Sequence, residues 1–235
     1  MKTQYLLSLI RQACEKYNMI SDGDRIAVGV SGGKDSLCLL YGLALLKKFY
    51  KNFSIEAITI DMGLDMDFSP ITELCRSLGI NHNIVQTKIA EIVFDIKKEK
   101  NPCSLCSKLR KGALNNKAVE LKCNKIALGH NKDDLIETLL MSLFYEGRIN
   151  CFEPVTKLDK TGLISIRPLI YAREVQIKGF VNTSGIVVVK NKCKYDEKTS
   201  REMIKGIIKA NRKDIKGIDE SLFSAAISVI DARRQ

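Results

Sequence analysis

Residues 29–36 read Gly-Val-Ser-Gly-Gly-Lys-Asp-Ser, and this stretch decides the fold. Paired glycines followed by a lysine suit a phosphate. The stretch is not a Walker A loop, because Val28 stands where that loop begins with glycine and Asp35 where it needs Ser or Thr. Nor is it a dinucleotide fingerprint, since Ser31 occupies the second glycine position. Residues 25–30, RIAVGV, form a short apolar run after the Asp22-Gly23-Asp24 turn, as a buried parallel strand does. Residues 36–50 follow with apolar positions 37, 39, 40, 43, 44 and 46, a helical pattern. The unit is strand, phosphate loop, helix.

Working outward, the pattern repeats. Residues 55–60 predict a strand ending at Asp61-Met62-Gly63, then a helix over 71–78 closed by Gly79. Strands are predicted over 83–87 and 125–128, the latter between helices over 107–121 and 133–144. This alternation predicts an α/β fold with a doubly wound parallel sheet. Ligands bind beyond the carboxyl ends of such strands, where the glycine loop, Asp61-Met62-Gly63 and Gly129-His130 all fall. The expected organisation is an N-terminal helix over 1–20, an ATP-binding domain over 21–190 and a basic, mostly helical segment over 191–235. Within 182–192 we expect a turn, a short strand at Val187-Val188-Val189 and a basic connection; the Met and Phe residues of 141–144 are expected in the core.

The composition fits a soluble globular chain: 235 residues, 45% hydrophobic and 28% charged, with no apolar run approaching a membrane span. Residues 6–10 are too short for a secretory core and run into Arg11, Glu15 and Lys16 on a helical period, so a cytoplasmic protein is expected. Eight cysteines then read as thiols, metal ligands or catalytic groups rather than as disulfides. The net charge of +11 is concentrated in residues 190–216, where ten Lys and Arg face four Asp and Glu, which suits a polyanion. A solvated basic helix is the plainer alternative.

In the loop, Gly32 and Gly33 let backbone N–H groups approach a phosphate, Lys34 adds a charge, and Ser31 and Ser36 add hydroxyls. Asp35 would be repelled by a polyphosphate unless Mg²⁺ intervenes or the carboxylate braces the backbone. Cys103-Ser104-Leu105-Cys106 reads as a turn before a helix bearing Lys108, Arg110 and Lys111, a setting that lowers thiol pKa. The pair alone leaves zinc, an iron–sulfur cluster and a redox disulfide open. Cys193 lies about ninety residues on; with His82 and His130 the only histidines, four zinc ligands are hard to find, whereas three cysteines on a four-iron cluster leave one iron open. Gly129-His130-Asn131-Lys132-Asp133-Asp134 ends the fourth strand and opens a helix, so plain N-terminal capping explains at least one of the two aspartates. Cys14, Cys38 and Cys75 sit on apolar helical faces and are expected in the core, and His82 is expected to be partly buried.

Ser31-Gly32-Gly33-Lys34-Asp35-Ser36 resembles the signature of the PP-loop ATP pyrophosphatases. Together with Cys103-x-x-Cys106, Gly-His-Asn-x-Asp-Asp and Cys193, and with the stretches PCSLCSKLRKG, DDLIETLLMSLFYEGRI and IRPLIYARE, the order is similar to that of the tRNA 2-thiocytidine synthetases. The resemblance covers roughly residues 20–200. It implies cleavage of ATP between its α and β phosphates, adenylation of the C2 oxygen of a tRNA cytidine, and replacement of that oxygen by sulfur. It also implies a 4Fe–4S cluster on Cys103, Cys106 and Cys193, ATP with Mg²⁺, tRNA as partner, a sulfur donor such as a cysteine desulfurase, a homodimer and no membrane. Ser31, Gly32, Gly33, Lys34, Asp35, Ser36, Asp61, Gly129 and His130 would bind ATP. Asp35 and Asp134 would serve Mg²⁺ or catalytic support, and Arg110 or Lys111 would stabilise the adenylated intermediate.

The chain departs from many such members. Cys193 is followed by Lys194-Tyr195-Asp196 instead of a second C-x-x-C, and Gly-His-Asn replaces Gly-His-His. The flanking cysteines usual in thiouridine-forming relatives do not stand at either end, which favours the cytidine branch. The other readings are thiolation of a tRNA uridine, a PP-loop ligase acting on a small molecule, and a nucleotide-sensing or RNA-binding module without catalysis.

Overall fold

The computed structural model describes residues 3–97, 102–190, 192–193 and 200–233. Lys194-Tyr195-Asp196 and part of the basic segment lie outside them. The chain builds α1 (Thr3–Lys16), β1 (Arg25–Gly29), α2 (Lys34–Leu46), β2 (Ser54–Asp61), α3 (Ser69–Ser77) and β3 (Asn81–Gln86). After a π-helical stretch, Glu91–Lys97, come α4 (Pro102–Glu120), β4 (Lys125–Ala127), α5 (Lys132–Glu146), β5 (Val155–Lys157) and β6 (Ile164–Ile166). Helices α6 (Glu174–Thr183), α7 (Ser200–Asn211) and α8 (Ile218–Ala232) complete it.

The sheet order is β3-β2-β1-β4-β6-β5. The chain leaves β1 toward β2 and β3, then returns to the opposite side of β1 with β4; Val28 pairs with both Ala57 and Ala127. The strand order therefore reverses between β1 and β4, and the loops beyond these two strands flank a topological switch point. β6 runs parallel to β4, and β5 closes the edge antiparallel to β6. The expected sheet thus gains two strands and one antiparallel pair; each is only three residues long, too short to show a period.

Alternation along β1 splits the core into two layers. Ile26 and Val28 face a cluster that includes Leu6 and Ile10 of α1, Leu37 and Leu40 of α2, and Phe180 of α6. Ala27 faces Leu114 and Ala118 of α4 on the other side. Cys14, Cys38 and Cys75 are buried as expected, and burial pushes the first two thiols up to about 12 and the third to about 11. At the amino ends of the strands, buried Lys125 pairs with Asp24 at 2.6 Å and donates to the Met19 carbonyl at 2.9 Å.

Two expectations are corrected and one helix is added. Val187-Val188-Val189 joins no sheet; the segment crosses the glycine loop, with the Val189 N–H donating to the Gly32 carbonyl at 3.0 Å. Helix α6 was not expected. Met141 packs on the Ile136–Ile204 cluster, but Leu143 and Phe144 are 38% and 57% exposed, because α5 turns that side to solvent. Among the described residues no helix is long and apolar enough to cross a membrane.

Candidate active site

The glycine loop joins β1 to α2. Gly32 has φ +85°, and a side chain there would place its Cβ 2.8 Å from Val189 Cβ, so glycine answers both the turn and the strap above it. Ser36 Oγ accepts from the Ser31 N–H at 3.2 Å and donates to the Gly33 carbonyl at 2.9 Å, which ties the loop into a ring. Gly33 caps α2 with no side-chain bond, which leaves the first-turn N–H groups for an incoming anion.

Lys34 Nζ lies 2.8 Å from Asp35 Oδ2 and 2.8 Å from Glu174 Oε1. Burial alone would lower its pKa, but the hydrogen bonds to the two carboxylates outweigh that and hold it above the ordinary lysine value. Glu174 passes the charge on: its Oε2 lies 3.5 Å from Lys205 of α7. An alternating chain of charge therefore runs from the loop to the basic C-terminal region.

The loop after β4 comes up against this one. A Cβ on Gly129 would lie 3.1 Å from the Asp35 carbonyl carbon and 3.1 Å from the Ser36 nitrogen, so the backbone contact admits only glycine without a shift. Asn131 then opens α5 with a capping box: its side chain accepts from the Asp134 N–H at 3.1 Å, and the Asp134 carboxylate accepts from the Asn131 N–H at 2.9 Å. The Asn131 amide nitrogen donates to Asp35 Oδ1 at 3.1 Å. The second Asp134 oxygen meets Arg201 Nη1 at 2.8 Å, and the same nitrogen reaches Glu137 at 3.1 Å. Burial raises the Asp134 carboxyl and pushes Glu137 up to about 7, against the pull of Lys205 and Arg201. Asp133 does not face the loop; it accepts from Arg173 and from the Glu174 N–H, fixing α6 against α5.

His130 is buried at Nδ1 with no partner and packs against Phe152 at 5.0 Å between ring centroids. Burial, followed by the charges of Arg167, Arg201 and Lys111, pushes it down to about 4, with Asp35 pulling the other way. Lys111 is exposed and Arg110 half-buried on α4. Asp61, at the end of β2, accepts from the Gly63 N–H at 2.9 Å and so shapes the turn beside the crevice.

The cysteine pair is in the first turns of α4 and not in a turn before it: the helix starts at Pro102, where proline suits the first helical position. Cys103 is exposed, Cys106 buried and Cys193 half-buried. Cys106 packs with its Sγ 3.6 Å from Met62 Sδ, just beyond Asp61. Its thiol is pushed up by burial, although Arg110 lowers it and the charges of Cys193 and Cys103 raise it further. That overturns the lowered pKa expected for Cys106: the apolar packing outweighs the helix end and the cations. Among the described residues no group of three or more His, Cys, Asp or Glu is drawn to metal-holding distance. As chemistry, a set of three thiols suits a soft iron or zinc centre, which would displace their protons on binding.

Asn131, Phe152, Arg167, Glu174 and Arg201 were missed from the sequence as site residues. Asn131 stood inside a motif already singled out, and Arg167 and Glu174 stood in the IRPLIYARE stretch.

With this geometry in place, comparisons with known proteins are informative. The PP-loop domain family matches residues 6–211. The tRNA-cytidine(32) 2-sulfurtransferase of Hahella chejuensis is 36% identical over 226 residues, 94% of this chain and 79% of the relative. That of Idiomarina loihiensis is 38% identical over 225 residues, 93% of this chain and 74% of the relative. Among solved structures, the U34-tRNA thiolase NcsA from Methanococcus maripaludis with its 4Fe–4S cluster superposes with a TM-score of 0.79 at 23% identity, covering 97% of this chain and 78% of that one. The NH3-dependent NAD synthetase of Campylobacter jejuni reaches 0.54 at 16% identity, covering 99% and 94%, and shares the fold. The chain belongs to the PP-loop family, among the tRNA-cytidine(32) 2-sulfurtransferases.

Proposed function

We propose that this protein is an ATP-dependent tRNA thiolase that converts a cytidine to 2-thiocytidine. The observation that carries this reading is the close packing of the glycine loop against the Gly129-His130-Asn131 loop at the switch point, with the cysteine-bearing start of α4 beside the same sheet edge. The extent and level of identity to the cytidine sulfurtransferases support cytidine over uridine and over a small-molecule ligase.

The reaction has two displacements. The C2 oxygen attacks the α phosphorus of ATP, and pyrophosphate leaves. A sulfide equivalent then attacks C2, and AMP leaves with the oxygen, so no net oxidation occurs. Ser31, Gly32, Gly33, Lys34 and Ser36, with the α2 N-terminus, would hold the β and γ phosphates as charge builds on the leaving group. Asp61, Gly129 and His130 complete the nucleotide crevice. Asp35 would hold Mg²⁺, which when bound would offset the charge of the phosphates. Asp134, committed to Asn131 and Arg201, supports Asp35 through the Asn131 amide. Arg110 and Lys111 would face the adenylated intermediate from α4. Cys103, Cys106 and Cys193 would hold the cluster, which when bound supplies an iron site for the incoming sulfur.

The exposed Lys209 in the last turn of α7, with the exposed Lys213 and Lys216 after the helix, supports tRNA binding through its phosphates. A cysteine desulfurase as sulfur source, a homodimer and a cytoplasmic location belong to the same reading and rest on the family. Cys103→Ala or Cys193→Ala should abolish thiolation and leave ATP affinity intact. Full thiolation by either variant would end the assignment of the cysteines.

A further inference from the structure

A buried arginine without an ionic partner stands beside the crevice. Arg167 follows β6, whose Ile166 pairs with Ala127 of β4, so it leaves the sheet at the same edge as His130. Leu163 of the same segment packs under α4 with Leu114, and two-residue alternation puts Ser165 and Arg167 on that face as well. Arg167 is 8% exposed. Its Nη1 donates to the Glu153 carbonyl and to Thr156 Oγ1 at 3.2 Å, while its Nε is buried with no partner. Among the described residues no carboxylate closes an ion pair on it; Glu153 acts on it through charge at a distance, and burial pushes the guanidinium down to about 10.

Two orphaned polar atoms share one aromatic ring here. The Arg167 guanidinium carbon lies 5.0 Å from the Phe152 centroid, and the His130 ring lies 5.0 Å from the same centroid. His130 Nδ1 is the second buried atom without a partner. Native proteins leave few buried polar groups unpaired, and an unanswered buried cation is costly, so a cluster of this kind is suited to an arriving anion. Arg167, Arg201 and Lys111 bear on His130 against Asp35; Arg201 is already paired with Asp134 and Glu137, which leaves Arg167 as a buried cation with no ion pair among the described residues. Guanidinium and imidazole N–H groups match the oxygens of a phosphoryl group.

We propose that Arg167 and His130 form a buried phosphoryl subsite across the crevice from the glycine loop. It rests on the thiolase reading and adds a role that the loop does not fill: the loop grips the pyrophosphate that leaves, and Arg167 holds the phosphate that stays. That phosphate is either the adenylyl group or a backbone phosphate of the bound RNA, and the two have the same oxygen chemistry.

The test uses Arg167→Met and Arg167→Lys in the full chain, with AMP and unmodified tRNA as separate probes in equilibrium dialysis at one salt concentration. Loss of AMP affinity by about tenfold in the Met variant, with partial retention by Lys, assigns the subsite to the adenylyl phosphate. The same loss for tRNA alone assigns it to the RNA. Binding of both probes within about twofold of the wild type overturns the proposal. The melting temperature separates function from structure: removing an unpaired buried cation should leave stability unchanged or higher. Should the variant fail to fold, the wild type still decides, because the chain has two histidines and their ring resonances are easily followed. The His130 ring signal should shift on addition of AMP or of a short RNA, and no shift with either overturns the subsite. Failure of the wild type to make 2-thiocytidine would instead strike the thiolase reading and leave these binding results standing.

Discussion

Lys34 must meet phosphate, yet it is already held at 2.8 Å by both Asp35 and Glu174. Glu174 therefore competes with ATP for the lysine, and Glu174→Gln should tighten ATP binding. The magnitude follows from the geometry. A hydrogen bond between charged partners is worth about 1.5–3 kcal/mol when sheltered. Here the side chains of Lys34 and Glu174 are 28% and 36% exposed, so solvent screening reduces the effect to about 1 kcal/mol. Glutamine keeps the shape and one acceptor while removing the charge, which corresponds to a Kd about fivefold lower. Glu174 also opens α6 as its first residue, where an acid favours the helix N-terminus, so the variant should lose about 0.5 kcal/mol of stability. Titration calorimetry with α,β-methylene ATP, which resists cleavage at the reacting bond, measures the affinity directly. Tighter binding together with slightly lower stability is the expected pair of results. Unchanged or weaker ATP binding by a fully folded variant would refute the competition.

Two further outcomes follow from the same geometry. Gly129→Ala should weaken ATP binding and cost about 1–3 kcal/mol of stability, because the new Cβ meets the Asp35–Ser36 backbone at 3.1 Å and the loop must move; wild-type affinity and melting temperature would show that the two loops do not need that approach. His130, held at about 4 against an ordinary 6.5, takes up its proton in the unfolded chain first, so its contribution to stability is lost as pH falls through that window. Glu137, raised to about 7, has the opposite sign and loses stability as pH rises from 4.5 to 7, so the comparison must be with His130→Asn. Between pH 7 and pH 5 the wild type should lose about 2 kcal/mol more than that variant, roughly 4–8 °C in Tm for a chain of this size; parallel profiles would contradict the assignment.

The parts of this account that were legible in the sequence are those whose signal is contiguous. Ser31 to Ser36 form a phosphate cradle from adjacent residues, and the apolar runs before and after it give β1 and α2 directly. The strands β1, β2, β3 and β4 were readable for the same reason, and the loops beyond their carboxyl ends mark the crevice. What was not legible depends on contacts distant in the chain. Glu174 reaches Lys34 across 140 positions, and nothing in its neighbourhood distinguishes it from an ordinary acid at a helix start. Arg167 stands in the IRPLIYARE stretch as one cation among apolar residues, and its burial without an ion pair among the described residues is what makes it informative. The Cys106 pKa was expected to fall because cations and a helix end are visible in sequence, whereas the packing of Met62 over the thiol is not. The three-residue strands β5 and β6 carry no period, and of the valines at 187–189, which have strand propensity, Val189 covers Gly32 instead of pairing in the sheet.

The central claim is that this chain replaces the C2 oxygen of a tRNA cytidine with sulfur. It is tested most directly by incubating the anaerobically reconstituted protein with unmodified tRNA, ATP, Mg²⁺ and sulfide, then digesting the tRNA and separating its nucleosides by mass spectrometry. The account predicts 2-thiocytidine, formed together with AMP and pyrophosphate, and no product when Lys34 is replaced by Ala. Thiouridine as the sole sulfur-containing product, or ATP cleavage without any thiolated nucleoside, would contradict it.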